Sequence, residues 1–114
     1  MGLKLHLGCG NKLLPEPWVN VDCVPPAALP DGVRFDLLDL EAEAAWSYKD
    51  NTFDEVRAIH VLEHIGKTYA AFVRFLAELY RVCAPGAAIY IVMEYHITLK
   101  VAKPTDARKV DTAI

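Results

Sequence analysis

The strongest constraint on the fold is a short apolar run that stops at a pair of glycines. Leu3 to Leu7 has the length and composition of a β-strand, and Gly8-Cys9-Gly10 follows it as a tight turn. Pro15 and Pro17 limit any helix that begins at Asn11 to about one turn, because an interior proline removes a backbone donor and clashes with the preceding turn. The chain therefore opens with a strand that ends in glycine and has little helix after it.

Several more apolar runs are separated by turn residues and by one long helical pattern. The sequence predicts further strands at Trp18 to Asp22, Val33 to Leu37, Phe53 to Ile59, Ala87 to Met93 and about Ile97 to Val101. A short helix is predicted over Glu41 to Trp46, and a long one over Thr68 to Cys83, which Pro85-Gly86 ends. Strands that alternate with helices and loops predict an α/β, doubly wound, mostly parallel sheet.

The length and the apolar content fit one domain built around a buried sheet. The chain has 114 residues, enough for a single domain with its own core, which we predict to span residues 1–114. Its apolar fraction of 54% exceeds the roughly 45–50% of ordinary domains. Residues 95–114 give one short strand and then a polar tail, so this end of the domain is expected to be atypical.

Composition argues against several classes of protein. No apolar run reaches the roughly 18 residues of a membrane span, and the N-terminus lacks the apolar core of a signal peptide. A net charge of −3 without a basic cluster argues against nucleic-acid binding. Cys9, Cys23 and Cys83 form no C-x-x-C pair and fit reduced thiols. We expect a cytoplasmic protein that binds neither nucleic acid nor membrane.

Glycines and acids fall where an α/β sheet would bind a nucleoside. Gly8 and Gly10 let the backbone approach a ligand closely, and Asp22, at the end of the second strand, can accept hydrogen bonds from both hydroxyls of a ribose. Asp36 stands near the end of the third strand. Together these residues predict a site for an adenosine-containing ligand.

The same loop argues against a ligand that carries a pyrophosphate. Nicotinamide and flavin proteins use the pattern G-x-G-x-x-G, and here Leu13 occupies the position of the third glycine. Pro15 also shortens the helix whose N-terminus would hold the phosphates. A ligand without phosphates is favoured.

Six segments of the chain, read in order, resemble the class I S-adenosylmethionine-dependent methyltransferases. They are LHLGCGNKLLP, WVNVD, DLLDL, NTFDEV, HVLEHI and ELYRVCAPGA, and they span about residues 3–94. The resemblance implies a Rossmann-like methyltransferase fold with S-adenosylmethionine as cofactor and S-adenosylhomocysteine as product. It also implies an enzyme that transfers the methyl group in line to a small-molecule acceptor.

The resemblance assigns roles to particular residues of the chain. Gly8, Cys9 and Gly10 would approach the methionine end of the cofactor, and Asp22 would hold the ribose hydroxyls. Asp36 would bind the adenine amino group, and the backbone amide of Leu37 an adenine ring nitrogen. His60, in HVLEHI, would border the methionine end and the methyl acceptor.

The stretch from His60 to His64 also matches the H-x-x-E-H pattern of inverted zinc peptidases. We place His60 at the tip of the fourth strand, whereas a zinc site of this kind needs both histidines on one helix. A zinc hydrolase using His60, Glu63 and His64 is therefore a minor alternative, and we predict no metal site. The same three residues are candidate bases for methyl transfer, with His60 nearest the expected reaction centre. A packing or cofactor-contact role for His60 stays open.

The chain departs from the family pattern in the glycine loop and at its C-terminal end. His6 stands where the family often has an acid, Lys12 where a third glycine is common, and Asp39 competes with Asp36 for the adenine. The complete fold closes with an antiparallel hairpin beside the fifth strand, for which this chain has only part of the length, so the fifth strand is expected to be an open edge. We expect a homodimer through the C-terminal segment or the open sheet edge, or else a truncated domain. A non-catalytic S-adenosylmethionine-binding domain is the alternative to an enzyme.

Overall fold

A computed structural model describes residues 2–42, 44–65, 68–93 and 98–103, which form one six-stranded sheet. The strands are β1 Leu3–Leu7, β2 Trp18–Asp22, β3 Arg34–Leu37, β4 Phe53–Ile59, β5 Cys83–Val92 and β6 Thr98–Ala102, with helices α1 Leu62–Ile65 and α2 Tyr69–Val82 between β4 and β5. The order across the sheet is β3-β2-β1-β4-β5-β6, and only β6 runs antiparallel to its neighbour. The predicted α/β, mostly parallel sheet is confirmed. Within the described ranges, neither helix is long and apolar enough to cross a membrane.

The strand positions follow the apolar pattern closely at the N-terminal end and less closely after α2. Strands β1, β2 and β4 occupy the predicted residues. Strand β5 begins at Cys83, earlier than predicted, because Cys83 already pairs with Phe53 and a shift in register then absorbs the turn at Pro85-Gly86. The expectation of an open edge at the fifth strand is wrong, since β6 pairs with β5 from Ala88 to Val92 and becomes the edge itself.

The predicted helix from Glu41 to Trp46 is also wrong, because its described residues form turns and bends. Their backbone groups bind side chains of α2. The backbone N–H of Trp46 donates to Glu78 (2.7 Å), and the guanidinium of Arg81 donates to the carbonyl of Trp46 (2.9 Å). Since these partners satisfy the buried backbone groups, the segment packs against α2 without forming a helix of its own.

One face of the sheet carries the core. Val19, Leu5, Val56 and Ile89 stand side by side on β2, β1, β4 and β5, and all four are buried. Helix α2 covers this face with a buried stripe that includes Phe75, whose ring lies 5.7 Å from that of Trp46. The helix begins at Thr68, whose side chain accepts a hydrogen bond from the third residue beyond it and caps the first turn.

A buried polar network fixes the loop between β1 and β2. The side-chain amide of Asn20 donates to the carbonyls of Leu14 (2.9 Å) and Arg34 (3.0 Å), and its oxygen accepts from the backbone N–H of Leu14 (2.9 Å). Nδ1 of His6 lies 2.9 Å from the same oxygen. Because that oxygen is an acceptor, Nδ1 of His6 carries the proton. The loop between β1 and β2 has no long helix to hold it against the sheet, and the hydrogen bonds of Asn20 fix it there instead.

We expect His6 to make the unfolding free energy depend on pH. Burial lowers the pKa of His6 below 6.5, and this outweighs its hydrogen bond with Asn20. The unfolded chain therefore binds the proton at a higher pH, so stability is fully present above about pH 6.5 and falls as the pH drops toward the folded pKa. Urea unfolding measured between about pH 7 and 5 should show a flatter profile for His6→Gln than for the unmodified chain. Parallel profiles would contradict this role for His6.

Candidate functional site

A cleft of ≈ 360 Å³ lies at the carboxyl ends of the central strands. Ligands of open α/β sheets bind at this edge, where the strand order reverses, and small-molecule sites have volumes of roughly 300–1,000 Å³. The reversal here lies between β1 and β4, which neighbour each other although β2 and β3 intervene in the chain. The lining residues come from four successive strand ends and α1: Gly8, Asp22, Cys23, Leu38, Asp39, Leu40, Glu41, His60, Val61, His64 and Ile65.

Gly8 brings the loop after β1 against the loop after β4. Its φ of +72° is left-handed, and a Cβ at this position would lie 2.6 Å from both the carbonyl oxygen of Ile59 and Cγ2 of Val61. Only glycine allows this approach. Gly10 also has a positive φ, +54°, but a Cβ there would meet nothing within 4 Å, so the space beside it is open.

Asp22 joins the loops after β1 and β2 through its carboxylate. Oδ2 accepts a hydrogen bond from the backbone N–H of Gly10 (2.9 Å), and Oδ1 accepts one from that of Cys23 (2.7 Å). Each oxygen keeps a free lone pair, and within the described ranges Asp22 has no cationic partner. The carboxylate therefore presents its remaining acceptor positions at the cleft.

The two acids weighed for the adenine lie in different places. Asp36 does not line the cleft, because its carboxylate accepts hydrogen bonds from Arg34 (3.0 Å) and the hydroxyl of Tyr48 (2.6 Å). Burial and this bond to Asp36 raise the pKa of the Tyr48 phenol. Leu37 is exposed and also lies outside the cleft wall, whereas Asp39 is part of it. The structure thus places Asp39, and not Asp36 or Leu37, beside the cavity.

Cys9 is part of the glycine loop but its thiol does not form the cleft wall. The side chain is buried, and Sγ donates to the carbonyl of Gly10 at 3.4 Å. Burial raises the pKa of the Cys9 thiol to about 11, so the group stays protonated at neutral pH. Its backbone N–H and that of Gly8 both donate to the carbonyl of Val21, which docks the loop on β2.

His60 stands at the tip of β4, where the sequence placed it, and its side chain is exposed at the cleft. Its φ of +52° is left-handed, and its backbone N–H donates to the carbonyl of Val92 at 2.7 Å. Helix α1 begins after it at Leu62, so His60 and His64 line the cleft without sharing a helix. The side chain of Glu63 lies outside the described part. Among the residues that are described, no group of three or more His, Cys, Asp or Glu side chains could hold a metal ion.

The electrostatic character of the cleft is acidic. Asp22, Asp39 and Glu41 line it, and no lysine or arginine does so among the described residues. Burial and the neighbouring Asp22 raise the pKa of the Cys23 thiol, so that group adds no further negative charge at neutral pH. The arrangement favours a ligand that carries positive charge and hydroxyl donors.

Several lining residues were not predicted from the sequence: Cys23, Leu38, Leu40, Glu41, Val61 and Ile65. Five of them lie in the loops after β2, β3 and β4, and Ile65 lies in α1. The rule that loops after neighbouring parallel strands meet at one edge would have found them. Glu41 was missed because the sequence analysis assigned it to a helix and not to the loop after β3.

We expect the backbone at His60 to tolerate asparagine and not valine. Asparagine enters the left-handed region readily, whereas a β-branched residue does not. In urea unfolding, His60→Asn should stay within about 0.5 kcal/mol of the unmodified chain, and His60→Val should lose roughly 1–2 kcal/mol. Equal stability of the two variants would show that the left-handed conformation is not required.

Comparison with known proteins identifies the family. The family model for the methyltransferase domain matches residues 5–91. The chain is also similar to the S-adenosylmethionine-dependent methyltransferase from Mesorhizobium loti, with 18% identity, a TM-score of 0.64, and coverage of 81% of this chain and 46% of that one.

Two other solved structures have the same fold at similar identity. The trans-methyltransferase CalH in complex with S-adenosylhomocysteine is 19% identical, with a TM-score of 0.57 and coverage of 79% of this chain and 31% of that one. The [4+2]-cyclase SpnF is 20% identical, with a TM-score of 0.57 and coverage of 81% and 39%. The chain spans less than half the length of each of these three structures. At these identities the structural matches show the fold, and the family model, which runs from β1 into β5, shows that the chain belongs to the methyltransferase domain family.

Proposed function

We propose that the chain binds S-adenosylmethionine and transfers its methyl group to a small-molecule acceptor. The observation that carries this proposal is the cleft in which the Gly8 loop, the free acceptor positions of Asp22 and the exposed His60 meet. The family match supports methyl transfer, and the acidic wall suits a cofactor whose sulfonium and ammonium groups outweigh its one carboxylate.

The residues of the cleft can be assigned to the parts of the cofactor. Asp22 would accept hydrogen bonds from the ribose hydroxyls, and the backbone of the Gly8-Cys9-Gly10 loop, which has open space beside Gly10, would face the methionine end. We assign the adenine amino group to Asp39 in place of Asp36, because the Asp36 carboxylate is already bound by Arg34 and Tyr48. Leu38 and Leu40, on the same loop, would supply apolar contact with the adenine ring.

When bound, the cofactor supplies a methyl group on a positively charged sulfur. The contribution of the chain is to hold the acceptor in line with that group and to keep water away, for which Val61 and Ile65 provide an apolar wall. His60 would accept the proton of a hydroxyl or an amine acceptor, since its imidazole is exposed at the same wall.

A non-catalytic S-adenosylmethionine-binding domain is the second candidate. It is favoured by the match to the [4+2]-cyclase SpnF, since that neighbour indicates that this fold serves functions other than methyl transfer. Consumption of S-adenosylmethionine in the presence of a panel of acceptors would favour the enzyme. Binding without turnover across the panel would favour the binding domain.

The first experiment is a calorimetric titration with S-adenosylhomocysteine. We expect a single site of roughly micromolar affinity and no binding of NAD⁺, whose pyrophosphate has no helix N-terminus to hold it. Failure to bind S-adenosylhomocysteine would reject both candidates. Once an acceptor is found, His60→Asn should keep the cofactor affinity and lose turnover by about 100-fold or more if the imidazole is the base.

A matched pair of variants tests the adenine assignment. Asp39→Asn should weaken S-adenosylhomocysteine binding by about 3- to 10-fold, because a charged acceptor for the adenine amino group becomes neutral. Asp36→Asn should leave the affinity unchanged and lower the unfolding free energy by about 1 kcal/mol, because Arg34 and Tyr48 lose their anionic partner. Titration and urea unfolding of both variants separate the two effects. If only Asp36→Asn weakened S-adenosylhomocysteine binding, Asp36 and not Asp39 would bind the adenine amino group.

We also propose that residues 1–114 act as one cytoplasmic domain. Free thiols at Cys9, Cys23 and Cys83 support a reducing compartment. The predicted homodimer is developed in the next section, where the C-terminal strand supplies its surface.

A further inference from the structure

An apolar surface on the core side of the sheet is left uncovered by α2. Antiparallel partners stand on the same face of a sheet, and Leu99 and Val101 of β6 pair with the core residues Ile91 and Ile89 of β5. Ile89 and Ile91 are buried, whereas Leu99 and Val101 are 47% and 43% exposed. The apolar face of the sheet therefore continues onto β6 beyond the cover that α2 provides.

Helix α2 has a second apolar stripe outside its buried one. Val73, Leu76 and Tyr80 recur at spacings of three and four and lie on one side of the helix. They are 42%, 39% and 45% exposed. The side of α2 that carries Arg74 and Arg81 already packs within the chain, because both arginines bind backbone carbonyls in the loop before β4.

The exposed stripe of α2 lies next to the end of β6, where Lys103 contacts it. Its ammonium group lies 4.2 Å from the centre of the Tyr80 ring and donates to the carbonyls of Tyr80 (2.9 Å) and Cys83 (2.8 Å). Residue 103 directly follows β6, so the end of the strand is held against the end of α2. We name Val73, Leu76, Tyr80, Leu99 and Val101 the α2–β6 surface. Its helix part and its strand part adjoin at Lys103, and together they expose five large apolar side chains, as protein interfaces do.

The outer edge of β6 offers backbone hydrogen bonds beside that surface. The N–H and C=O of Lys103 bind Ala87 and Gly86 of β5. Backbone groups alternate in direction along a strand, so those of Lys100 point away from β5. In the part of the chain that the structure describes, no strand pairs with this edge.

We propose that a second copy of this chain covers the α2–β6 surface in a two-fold dimer whose sheets join through antiparallel pairing of β6 with β6. An antiparallel edge is complementary to itself, so one strand supplies both halves of the interface. The Val101 side chains of the two copies would meet at the centre, each Leu99 would lie opposite Lys103 of the second copy, and both helical stripes would flank this contact. A stable interface needs roughly 800 Å² per partner, so strand pairing and burial of the apolar side chains would both have to contribute.

Repulsion between lysine side chains decides which register the two β6 strands would adopt. Lys100 points to the opposite face, where its ammonium lies 5.4 Å from the centre of the Tyr90 ring, so it does not enter the apolar contact. A two-fold axis through Lys100 would place two like charges directly opposite each other. With the axis at Val101, Lys100 faces Ala102 of the second copy, and the repulsion is avoided.

Sedimentation velocity of the full chain tests the proposal. From about 1 to about 100 μM we expect the mass to rise toward twice 12.7 kDa. Leu76→Lys on the helix and Val101→Lys on the strand should each weaken dimerisation at least tenfold. Leu29→Lys is the matched control, because Leu29 is an exposed leucine outside the α2–β6 surface and should leave the dimer intact. Circular dichroism confirms that each variant is folded.

Hydrogen exchange supplies a second readout that does not depend on substitutions. The amide of Lys100 should exchange slowly at concentrations that favour the dimer and rapidly after dilution, because only the second copy pairs with it. A monomer at every concentration would overturn the proposal and leave the surface to a different protein. A dimer that resists both lysine substitutions, or that leaves the Lys100 amide unprotected, would place the contact elsewhere and overturn it equally.

Discussion

Replacing Asp22 with alanine is expected to weaken S-adenosylhomocysteine binding by about 100-fold. Hydrogen bonds to a charged acceptor contribute roughly 1.5–3 kcal/mol each, and a carboxylate that binds both ribose hydroxyls loses two of them at once. Each 1.4 kcal/mol corresponds to a tenfold change in affinity. The carboxylate also holds the backbone N–H groups of Gly10 and Cys23, so its loss loosens the loop that faces the cofactor. Calorimetric titration measures the change directly.

Two controls separate recognition of the ribose from the stability of the loop. Asp22→Asn keeps one acceptor oxygen and should show an intermediate loss of affinity, and Asp31→Ala removes an exposed loop acid that lies outside the cleft and should change nothing. Urea unfolding of Asp22→Ala should show a loss of about 1 kcal/mol, from the two backbone contacts. Unchanged affinity in a folded Asp22→Ala variant would remove this residue from the cofactor site.

The sequence predicted those parts of the fold in which burial alone decides the structure. Strands β1, β2 and β4 have buried residues at alternating or successive positions, and their apolar patterns gave the correct bounds. The helix predicted at Glu41 to Trp46 failed because α2 supplies hydrogen-bond partners for that backbone through Arg74 and Glu78. Such partners come from residues that are distant in the chain, and local propensity carries no information about them.

For the candidate site, too, the sequence predicted the features that depend on neighbouring residues and missed those that depend on residues distant in the chain. Asp22 and His60 end strands whose position is set by apolar pattern, so both were placed correctly at the edge of the sheet. Asp36 was preferred over Asp39 because the family resemblance assigned the adenine to the acid at the end of the third strand. Only the packed structure shows that Tyr48 and Arg34 bind Asp36 and leave Asp39 beside the cavity. The preference between these two acids depends on a tyrosine that is not close to either of them in the sequence.

The largest loss of stability is expected for Gly8→Ala. A left-handed φ costs a residue with a side chain roughly 1–2 kcal/mol, and overpacking adds roughly 1–3 kcal/mol. Both apply here, because φ is +72° and the new Cβ would lie 2.6 Å from the carbonyl oxygen of Ile59 and from Cγ2 of Val61. We therefore expect a loss of about 3 kcal/mol or more in urea unfolding, a large part of the roughly 5–15 kcal/mol that stabilises a domain. Because these contacts also join the loops after β1 and β4, cofactor binding should be lost with the fold.

Gly32→Ala isolates the contribution of the contacts. Gly32 has nearly the same φ, +77°, but a Cβ there would meet nothing within 4 Å, so this variant should lose only about 1 kcal/mol. The difference between the two variants then measures the close approach of the two loops. Val61→Ala combined with Gly8→Ala should recover part of that difference, because one of the two close contacts disappears while the carbonyl of Ile59 remains. Equal losses for Gly8→Ala and Gly32→Ala would mean that the loops after β1 and β4 do not meet at Gly8, and the cleft would then lack the wall on which the cofactor proposal depends.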